Sequence, residues 1–380
     1  MRIIMVGGGT GGHIYPAITI ARVMQAEAPN CEVLFIGTEQ GLEADIIPKE
    51  GFDFATIDIC GLERKISWKN IKTLGKIVGS LWQSWKIIRK FQPDLLIGTG
   101  GYTCGPVLLA GSLMRIPTLI QEQNVIPGIT NKILAKFVSR VAVGYPEAVS
   151  AFDDEKKVVV TGNPIRNDVI SVSREEGLAA FGLDPAKLTV LVSGGSRGAR
   201  SINRAMEFVC RQIAERNDVQ ILHVTGQSEY NDVVGKYKQS NIDGNSAGNI
   251  VVKPYLYNMP LALAVADVVV FRAGAVGLAE ITARGIPSIL IPYPYAAENH
   301  QEFNARVLEK AGAAVIIRDF ELTGPLLHAT IKELLENRDR LARMSAASKK
   351  LGRPQAAHDI VQSALQLVAS YGVKTPERTE

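Results

Sequence analysis

A histidine set directly behind a run of glycines is the first place where this sequence could do chemistry. The segment GGGTGGHIYPA, from Gly7 to Ala17, follows the apolar run RIIMV and opens a helical pattern. Amides at such a strand-to-helix turn have no partner inside the helix, and the helix dipole adds to their pull on an anion. Two further turns share the pattern: GTGGYTCGP, Gly98 to Pro106, after DLLI, and SGGSRGA, Ser193 to Ala199, after LTVLV. Three phosphate-type cradles, two in the first half and one in the second, suggest diphosphate groups approaching a cleft between two domains.

Other polar residues stand where a nucleotide would need them. Glu280, near the start of the apolar helical pattern in FRAGAVGLAEITARG, is a carboxylate able to accept both hydroxyls of a ribose; it is equally an acid suited to a first helical turn. Arg166, after the Asn163-Pro164 turn, could face a phosphate or a base, or be a solvated linker charge. Ser196 could donate to a phosphate or serve as a helix N-cap. In PYPYAAENHQEFNA, the cluster Asn299, His300, Gln301 and Asn304 offers neutral donors and acceptors suited to sugar hydroxyls. Gly7, Gly9 and Gly12 also satisfy the dinucleotide fingerprint G-x-G-x-x-G, and Glu39 keeps a nicotinamide enzyme open as an alternative, although the second strand ends GTEQG rather than in an isolated acid.

The elements that must position these residues are legible as alternation. Short β-branched runs (RIIMV, CEVLFIGT, DLLIGT, PTLIQEQ, VVVTG) alternate with helical patterns such as AITIARVMQAEA, which implies parallel sheets with helices on both faces. The opening pattern recurs from Leu188 as LTVLVSGGSRGARSINRAMEFV, followed by VQILHVTGQ, and more strands follow in NIVVKPYL, ADVVVFRAG, PSILIPYP and AAVIIRD. We therefore expect an α/β chain of two similar doubly wound domains, with a boundary near Asn163 to Arg166: residues 1–165, joined by a C-terminal helix at 354–372, and residues 166–353. The turn-rich stretch Gln239 to Gly248 is expected to loop out.

With 380 residues, 46% hydrophobic, the chain can bury two cores, and 42 basic against 38 acidic residues give no argument for nucleic acid. Cys31, Cys60, Cys104 and Cys210 show no paired spacing for zinc or a disulfide framework, which fits a reducing cytosol. The chain enters directly on an apolar strand without a secretory leader pattern. No apolar run approaches the roughly 18 to 20 residues needed to span a bilayer, so any membrane contact is expected to be peripheral.

One stretch is lopsided. Between Arg64 and Lys90 stand eight basic residues and no acidic one, together with all three tryptophans, Trp68, Trp82 and Trp85. Ile71, Leu74, Val78, Leu81 and Trp85 recur at helical spacing. The segment reads as a basic amphipathic surface for anionic headgroups, carried by Lys65, Lys69, Lys72 and Lys76, or as a helix packed on its own sheet with solvated lysines.

Taken in order, GGGTGGHIYPA, GTGGYTCGP, QEQNVIPGITNK, TGNPIR, SGGSRGA, FRAGAVGLAE and HQEFNA resemble the MurG family across nearly the whole chain. The resemblance implies a GT-B fold of two Rossmann-like domains. It also implies an inverting transfer of N-acetylglucosamine from UDP-N-acetylglucosamine to the 4-hydroxyl of undecaprenyl-pyrophosphoryl-N-acetylmuramoyl-pentapeptide (lipid I), giving lipid II for peptidoglycan at the cytoplasmic face of the plasma membrane. By matching motif, Glu280 would bind the ribose diol, Ser196 and its loop the phosphates, Leu256 the uracil edge through its backbone, and Arg166 the nucleotide. Ala275, Val276, Gly277, Leu278 and Ala279, with His300 and Gln301, would line the sugar and phosphate pocket. Thr10, Gly11, Gly12 and Asn124 would meet the sugar, and the loops with Gly9 to Gly12 and Gly100, Gly101 and Tyr102 would take the acceptor pyrophosphate. The family's partners would be the two substrates, an anionic membrane surface and other cell-wall and division proteins.

In an inverting displacement one base suffices, and His13 has the imidazole chemistry to take a proton near neutral pH; it could instead only donate a hydrogen bond to a phosphate or the backbone. No metal is expected, since amides and dipoles can stabilise leaving UDP and no Asp-x-Asp motif stands in a suitable loop. The sequence departs from the family at Arg197, where glutamine is usual, at Phe271, where serine is commoner, and at His300, where some members have glutamine. Another GT-B nucleotide-sugar enzyme, a glycolipid synthase or a UDP-N-acetylglucosamine epimerase, is the alternative; a non-catalytic nucleotide-sugar-binding subunit is a third reading.

Overall fold

The structure, a computed structural model, describes residues 1–59, 69–195, 198–214, 216–240, 242 and 249–372, the side chains of 69–77 excepted. The chain divides into two compact units, Met1–Ile165 with the segment from Gln355 onward, and Arg166–Pro354.

The first unit is a seven-stranded sheet made of β1 (Arg2–Val6), β2 (Glu32–Gly37), β3 (Asp53–Thr56), β4 (Leu95–Gly98), β5 (Thr118–Glu122), β6 (Arg140–Val143) and β7 (Val158–Val160), in the order β3-β2-β1-β4-β5-β6-β7. Every neighbouring pair is parallel. The order reverses direction between β1 and β4, the crevice where open α/β sheets bind ligands. Register makes that crevice level, because Val6 lies opposite Gly98 and the two glycine turns leave the sheet side by side.

Both faces of this sheet are covered, which explains why its strands read as continuous apolar runs. On one face Ile3, Met5, Leu95 and Ile97 pack against Ile14, Ala17, Ile20 and Ala21 of the Gly11–Glu27 helix. The Ala356–Gly372 helix closes the same cluster with Ile360, Val361, Ala364 and Leu367. Its large apolar side chains contribute about 2 kcal/mol each by burial, enough to tie the chain's end to the unit where it began. On the other face Ile4, Val6, Leu96 and Ile120 meet Ile88 of the Lys69–Phe91 helix and Val107 and Leu108 of the Cys104–Leu113 helix.

The second unit repeats the plan with six parallel strands: β8 (Leu188–Ser193), β9 (Val219–Val224), β10 (Ile250–Lys253), β11 (Val268–Phe271), β12 (Ser288–Leu290) and β13 (Ala314–Ile316), ordered β10-β9-β8-β11-β12-β13. Its switch point lies between β8 and β11, again level, with Ser193 opposite Phe271. Two doubly wound parallel sheets are thus the architecture, and the repeated opening pattern marks the first strand of each. Strands β3 and β6, DFAT and RVAV, were not among the runs read from the alternation. The 239–248 stretch lies largely outside the described residues.

The stripe expected along residues 71–85 divides between its packed and its exposed positions. Ile71 and Leu74 lie outside the described side chains, but Val78 is 67% exposed, Trp82 57% and Trp85 38%, whereas Ser80, Ser84 and Ile88 are fully buried. Leu81 packs on the sheet-side cluster, while Trp85, one turn further on, is exposed. This helix packs against the Cys104–Leu113 helix, and the buried Ser84 satisfies its hydroxyl on the Ser80 carbonyl. Lysine Lys86 sits 3.4 Å over the Trp82 ring and Arg89 5.1 Å over Trp85, so the outer face is aromatic and basic together.

Candidate active site

Four helices begin at the two switch points, and in none of them does a side chain cap the first amides. The helices Gly11–Glu27, Cys104–Leu113, Arg200–Ile213 and Ala275–Arg284 have no side-chain cap and no acid in the first turn. Among the other helices Ser173 and Glu176 form a full capping box, Thr323 caps Gly324–Glu336 and Asn337 caps Arg338–Leu351, whereas the short Ile129–Leu134 and Met259–Val265 helices also have neither cap nor first-turn acid. A capped amide is satisfied and an acid in the first turn offsets the dipole; omitting both where two sheets switch direction leaves positive helix ends for an anionic ligand.

In the first unit the turns after β1 and β4 interlock. Gly9, Gly100 and Gly101 have φ of +82°, +109° and +90°, the left-handed region that favours glycine. A side chain at Gly101 would place its Cβ 2.4 Å from the Gly8 carbonyl oxygen, and one at Gly100 would lie 2.8 Å from the His13 ring. Thr99 donates to the His13 carbonyl at 2.7 Å, and Tyr102 lies against Gly9. The His13 ring is thus wrapped by the second turn, and its Nδ1 lies 3.1 Å from the Gly8 carbonyl and 3.4 Å from the Thr10 hydroxyl. A carbonyl only accepts, so Nδ1 carries the proton and Nε2 is the basic nitrogen. The Nδ1 contact is the backbone donation that the second of the two sequence readings described.

Two carboxylates missed by sequence reasoning hold this region. Glu43, 1% exposed, accepts from Thr38 N–H at 3.1 Å and the Thr38 hydroxyl at 2.8 Å, and its other oxygen accepts from Gly9 N–H at 3.0 Å. The Gly9 amide is therefore turned inward, unlike the outward-pointing amides expected along that loop. Glu122, at the end of β5, accepts from the Asn124 amide and side chain and from Gly128 and Asn131, which fixes Asn124 beside the crevice. Glu122 lies with its partners inside the QEQNVIPGITNK motif, but its role there, like that of Glu43, follows only from the fold.

The second unit carries the remaining candidates. After β8, Gly195 (φ +84°) donates to the Ser193 hydroxyl, and Gly198 (φ +74°) packs so closely that a Cβ would lie 2.2 Å from the Thr225 carbonyl. Ser196 and Arg197 lie outside the described residues. Across the switch point the helix begins at Ala275, so Ala275 to Ala279 form its amide-bearing start and Glu280 falls in the second turn, beyond reach of a first-turn role. Burial pushes the Glu280 carboxyl up to about 7; Arg166 works against this and Asp168 adds to it, so the three residues converge. Arg166 and Asp168 are paired at 3.5 Å. Gln301 accepts from the Tyr293 amide at 2.9 Å, His300 Nδ1 donates to the Ala297 carbonyl at 2.7 Å, and Asn304 reaches the Ala273 carbonyl at 3.3 Å. Glu298 and Asn299 both have positive φ, strain held at the entrance to this helix. Leu256 lies in the turn after β10, its backbone amide and carbonyl without a hydrogen-bond partner among the described residues.

Arg272, in the departure FRAGA, is a hub. It donates to the Ile291 and Pro292 carbonyls, to Ser201 and to Asp319, joining the ends of β11, β12 and β13 to the helix that follows β8. Among the described residues no group of His, Cys, Asp or Glu could hold a metal ion, and Cys31, Cys104 and Cys210 are buried free thiols.

Thr10, Gly11, Gly12, His13, Tyr102 and Asn124 thus gather in the first unit, and Arg166, Glu280, the 275–279 segment, His300 and Gln301 in the second. Comparison with known proteins follows the same division. Residues 3–143 match the Glycosyltransferase family 28 N-terminal domain and residues 189–360 its C-terminal domain. The chain is 49% identical, over 95% of its length and 97% of the relative's, to the UDP-N-acetylglucosamine--N-acetylmuramyl-(pentapeptide) pyrophosphoryl-undecaprenol N-acetylglucosamine transferase of Desulforamulus reducens. It is 50% identical, over 96% of its length and 99% of the relative's, to the protein of that name from Desulfitobacterium hafniense. Among solved structures it resembles Acinetobacter baumannii MurG with a TM-score of 0.75 and 26% identity, covering 96% of this chain and 99% of that one. Family match, near full-length identity and fold agree: the chain belongs to the MurG family of glycosyltransferase family 28.

Proposed function

We propose that this chain moves N-acetylglucosamine from UDP-N-acetylglucosamine to the 4-hydroxyl of undecaprenyl-pyrophosphoryl-N-acetylmuramoyl-pentapeptide, making lipid II from lipid I. The observation that carries this reading is the near full-length identity of about half with enzymes named for that transfer. The acceptor oxygen attacks the anomeric carbon from the face opposite UDP, the carbon–oxygen bond to the β-phosphate breaks, and configuration inverts. His13 Nε2 takes the hydroxyl proton, in the tautomer that its Nδ1 contact to Gly8 sets. Glu280 accepts the ribose hydroxyls, Arg166 attends the nucleotide, and Leu256 offers its main chain to the uracil edge. The amides opening the Arg200–Ile213 and Ala275–Arg284 helices, with the Ser196 loop, receive the charge that develops on leaving UDP. Gly100, Gly101 and Tyr102, with the Gly9 to Gly12 turn, take the acceptor pyrophosphate.

This reading has no step for a divalent cation, because preorganised amides and helix dipoles supply the stabilisation a metal would otherwise give. It also places the protein on a membrane surface without spanning it. No helix among the described residues is long and apolar enough to cross a bilayer. The outer face of the Lys69–Phe91 helix, with Trp82, Trp85, Lys86 and Arg89, suits anionic headgroups, and Lys65, Trp68, Lys69, Lys72 and Lys76 extend the same basic and aromatic composition. Transfer of labelled N-acetylglucosamine to a lipid I analogue in the presence of chelator tests the whole reading. Release of a free sugar epimer without acceptor, or absence of any product with lipid I supplied, would reject it in favour of an epimerase or a binding subunit; product that vanishes with chelator would reject metal independence alone.

A further inference from the structure

We propose that Glu43 is a positioning residue for His13, acting through the Gly8–Gly9 peptide that lies between them. That one peptide unit presents its N–H to Glu43 Oε2 at 3.0 Å and its carbonyl to His13 Nδ1 at 3.1 Å. In a trans peptide the two groups point in opposite directions, so carboxylate, peptide and imidazole form a single hydrogen-bonded chain. A carboxylate accepting from the N–H polarises the amide and makes its carbonyl a stronger acceptor, and the imidazole that donates to that carbonyl becomes a stronger base at Nε2. The arrangement does by relay what a carboxylate bonded directly to a catalytic histidine does: it fixes tautomer and ring orientation and favours the imidazolium that proton transfer creates.

The surroundings are built to hold this chain. Glu43 is anchored at its other oxygen by the Thr38 amide and hydroxyl. Glycine is required at Gly9, whose φ of +82° turns the amide inward. Any side chain at Gly8 or Gly41 would collide with the Glu43 carboxylate, at 2.8 Å and 2.2 Å. The second turn seals the other side, with Gly8 N–H on the Gly100 carbonyl at 3.4 Å and Gly101 against the Gly8 carbonyl. Tyr102 lies against Gly9 and Tyr15 against Gly11, and Cys104, behind Gly100, is a thiol that burial pushes up to about 12 and so keeps neutral.

The proposal rests on His13 being the base, and a double-mutant cycle separates the two. Single-turnover transfer and UDP affinity are measured for wild type, Glu43→Gln, His13→Ala and the double variant. Glutamine keeps the shape of Glu43 but cannot accept on both arms, so one arm sets a donor against a donor. His13→Ala is expected to lower the rate at least about 100-fold, the usual worth of a general base. Glu43→Gln is expected to lower it about tenfold or more with UDP affinity within about twofold, to move the acid limb of the rate profile to lower pH, and to cost less than about twofold once His13 is absent. Equal losses from Glu43→Gln in both backgrounds would make Glu43 a loop support and overturn the proposal. A loss below about tenfold in His13→Ala would remove the base itself, and the proposal with it. The unmutated protein gives an independent reading should Glu43→Gln not fold. Imidazole nitrogen NMR of the full chain, with His13 assigned by its absence from the His13→Ala spectrum, should show the neutral ring protonated on Nδ1. Protonation on Nε2 would overturn the relay.

Discussion

Replacing Glu280 with glutamine separates what its carboxylate does for the nucleotide from what its charge costs the fold. The group's ordinary value of 4.5 rises to about 7 in the folded chain, with desolvation the largest cause. Below pH 4.5 the carboxyl is neutral in both folded and unfolded states and its charge costs nothing. Between 4.5 and 7 the folded state still holds a proton that the unfolded state has released, so stability falls as pH rises; above about 7 both states are ionised and the full cost is present. At about 1.4 kcal/mol for each tenfold in proton affinity, that cost approaches 3 kcal/mol, lowered somewhat because the side chain is only partly withdrawn from water.

Glutamine has no charge to desolvate. Glu280→Gln should therefore stabilise the second unit by about 2 to 3 kcal/mol more at pH 8 than at pH 5. For a unit of this size that is a rise in melting temperature of roughly 5 to 10 °C at pH 8, read by calorimetry without nucleotide. The same change should weaken UDP roughly 10- to 100-fold at pH 8, since a ribose diol loses charge-assisted acceptors. In the unchanged protein UDP binding should tighten between pH 6 and 8 as the carboxylate forms. A melting shift equal at both pH values, or a loss of stability at pH 8, would refute the desolvated carboxylate, and undiminished UDP affinity would refute its role at the ribose.

Three further outcomes follow from the geometry. Gly101→Ala adds a Cβ 2.4 Å from the Gly8 oxygen at a φ of +90° and should cost about 2 kcal/mol or more and at least about 100-fold in transfer; a melting temperature unchanged within a degree would show that the turns are not interlocked. Arg272→Leu leaves the Asp319 carboxylate without its guanidinium and should destabilise by about 3 kcal/mol, most of it recovered when Asp319 is also changed to leucine; an equal loss in the double variant would place the cost in the carbonyl contacts instead. Trp82→Ala with Trp85→Ala should lower sedimentation with anionic vesicles several-fold, and undiminished binding would move membrane contact elsewhere.

The fold was legible where a physical requirement leaves a residue-level trace. Parallel strands buried on both faces must be apolar throughout, and turns with positive φ or backbone against backbone must be glycine, so the turns around Gly9, Gly101 and Gly198 stood out as glycine loops before any sheet order was known. On the Lys69–Phe91 helix, spacing marked Val78, Leu81 and Trp85 but could not mark the buried Ser80 and Ser84, because a pattern of large apolar residues carries no sign of small polar ones turned inward. Glu280 could be singled out, but not its shifted protonation, which comes first from burial in the folded unit and then from the opposed effects of Arg166 and Asp168 more than a hundred positions away. Glu43 was invisible among the ordinary acids of TEQGLEAD, for its partners are main-chain amides and a single hydroxyl.

That acid also explains why two units of one topology suit different work. At the β8/β11 switch point the loop amide of Gly195 rests on a neutral hydroxyl, and no acid stands in either first helical turn, so the helix dipoles are uncompensated toward a departing diphosphate. At the β1/β4 switch point the loop amide of Gly9 rests on a buried carboxylate, which subtracts from the pull on an external anion but lends electron density toward His13. Holding a leaving group asks for the strongest positive field, and deprotonating an alcohol asks for an electron-rich imidazole; one internal charge, absent from one loop and present behind the other, meets both demands.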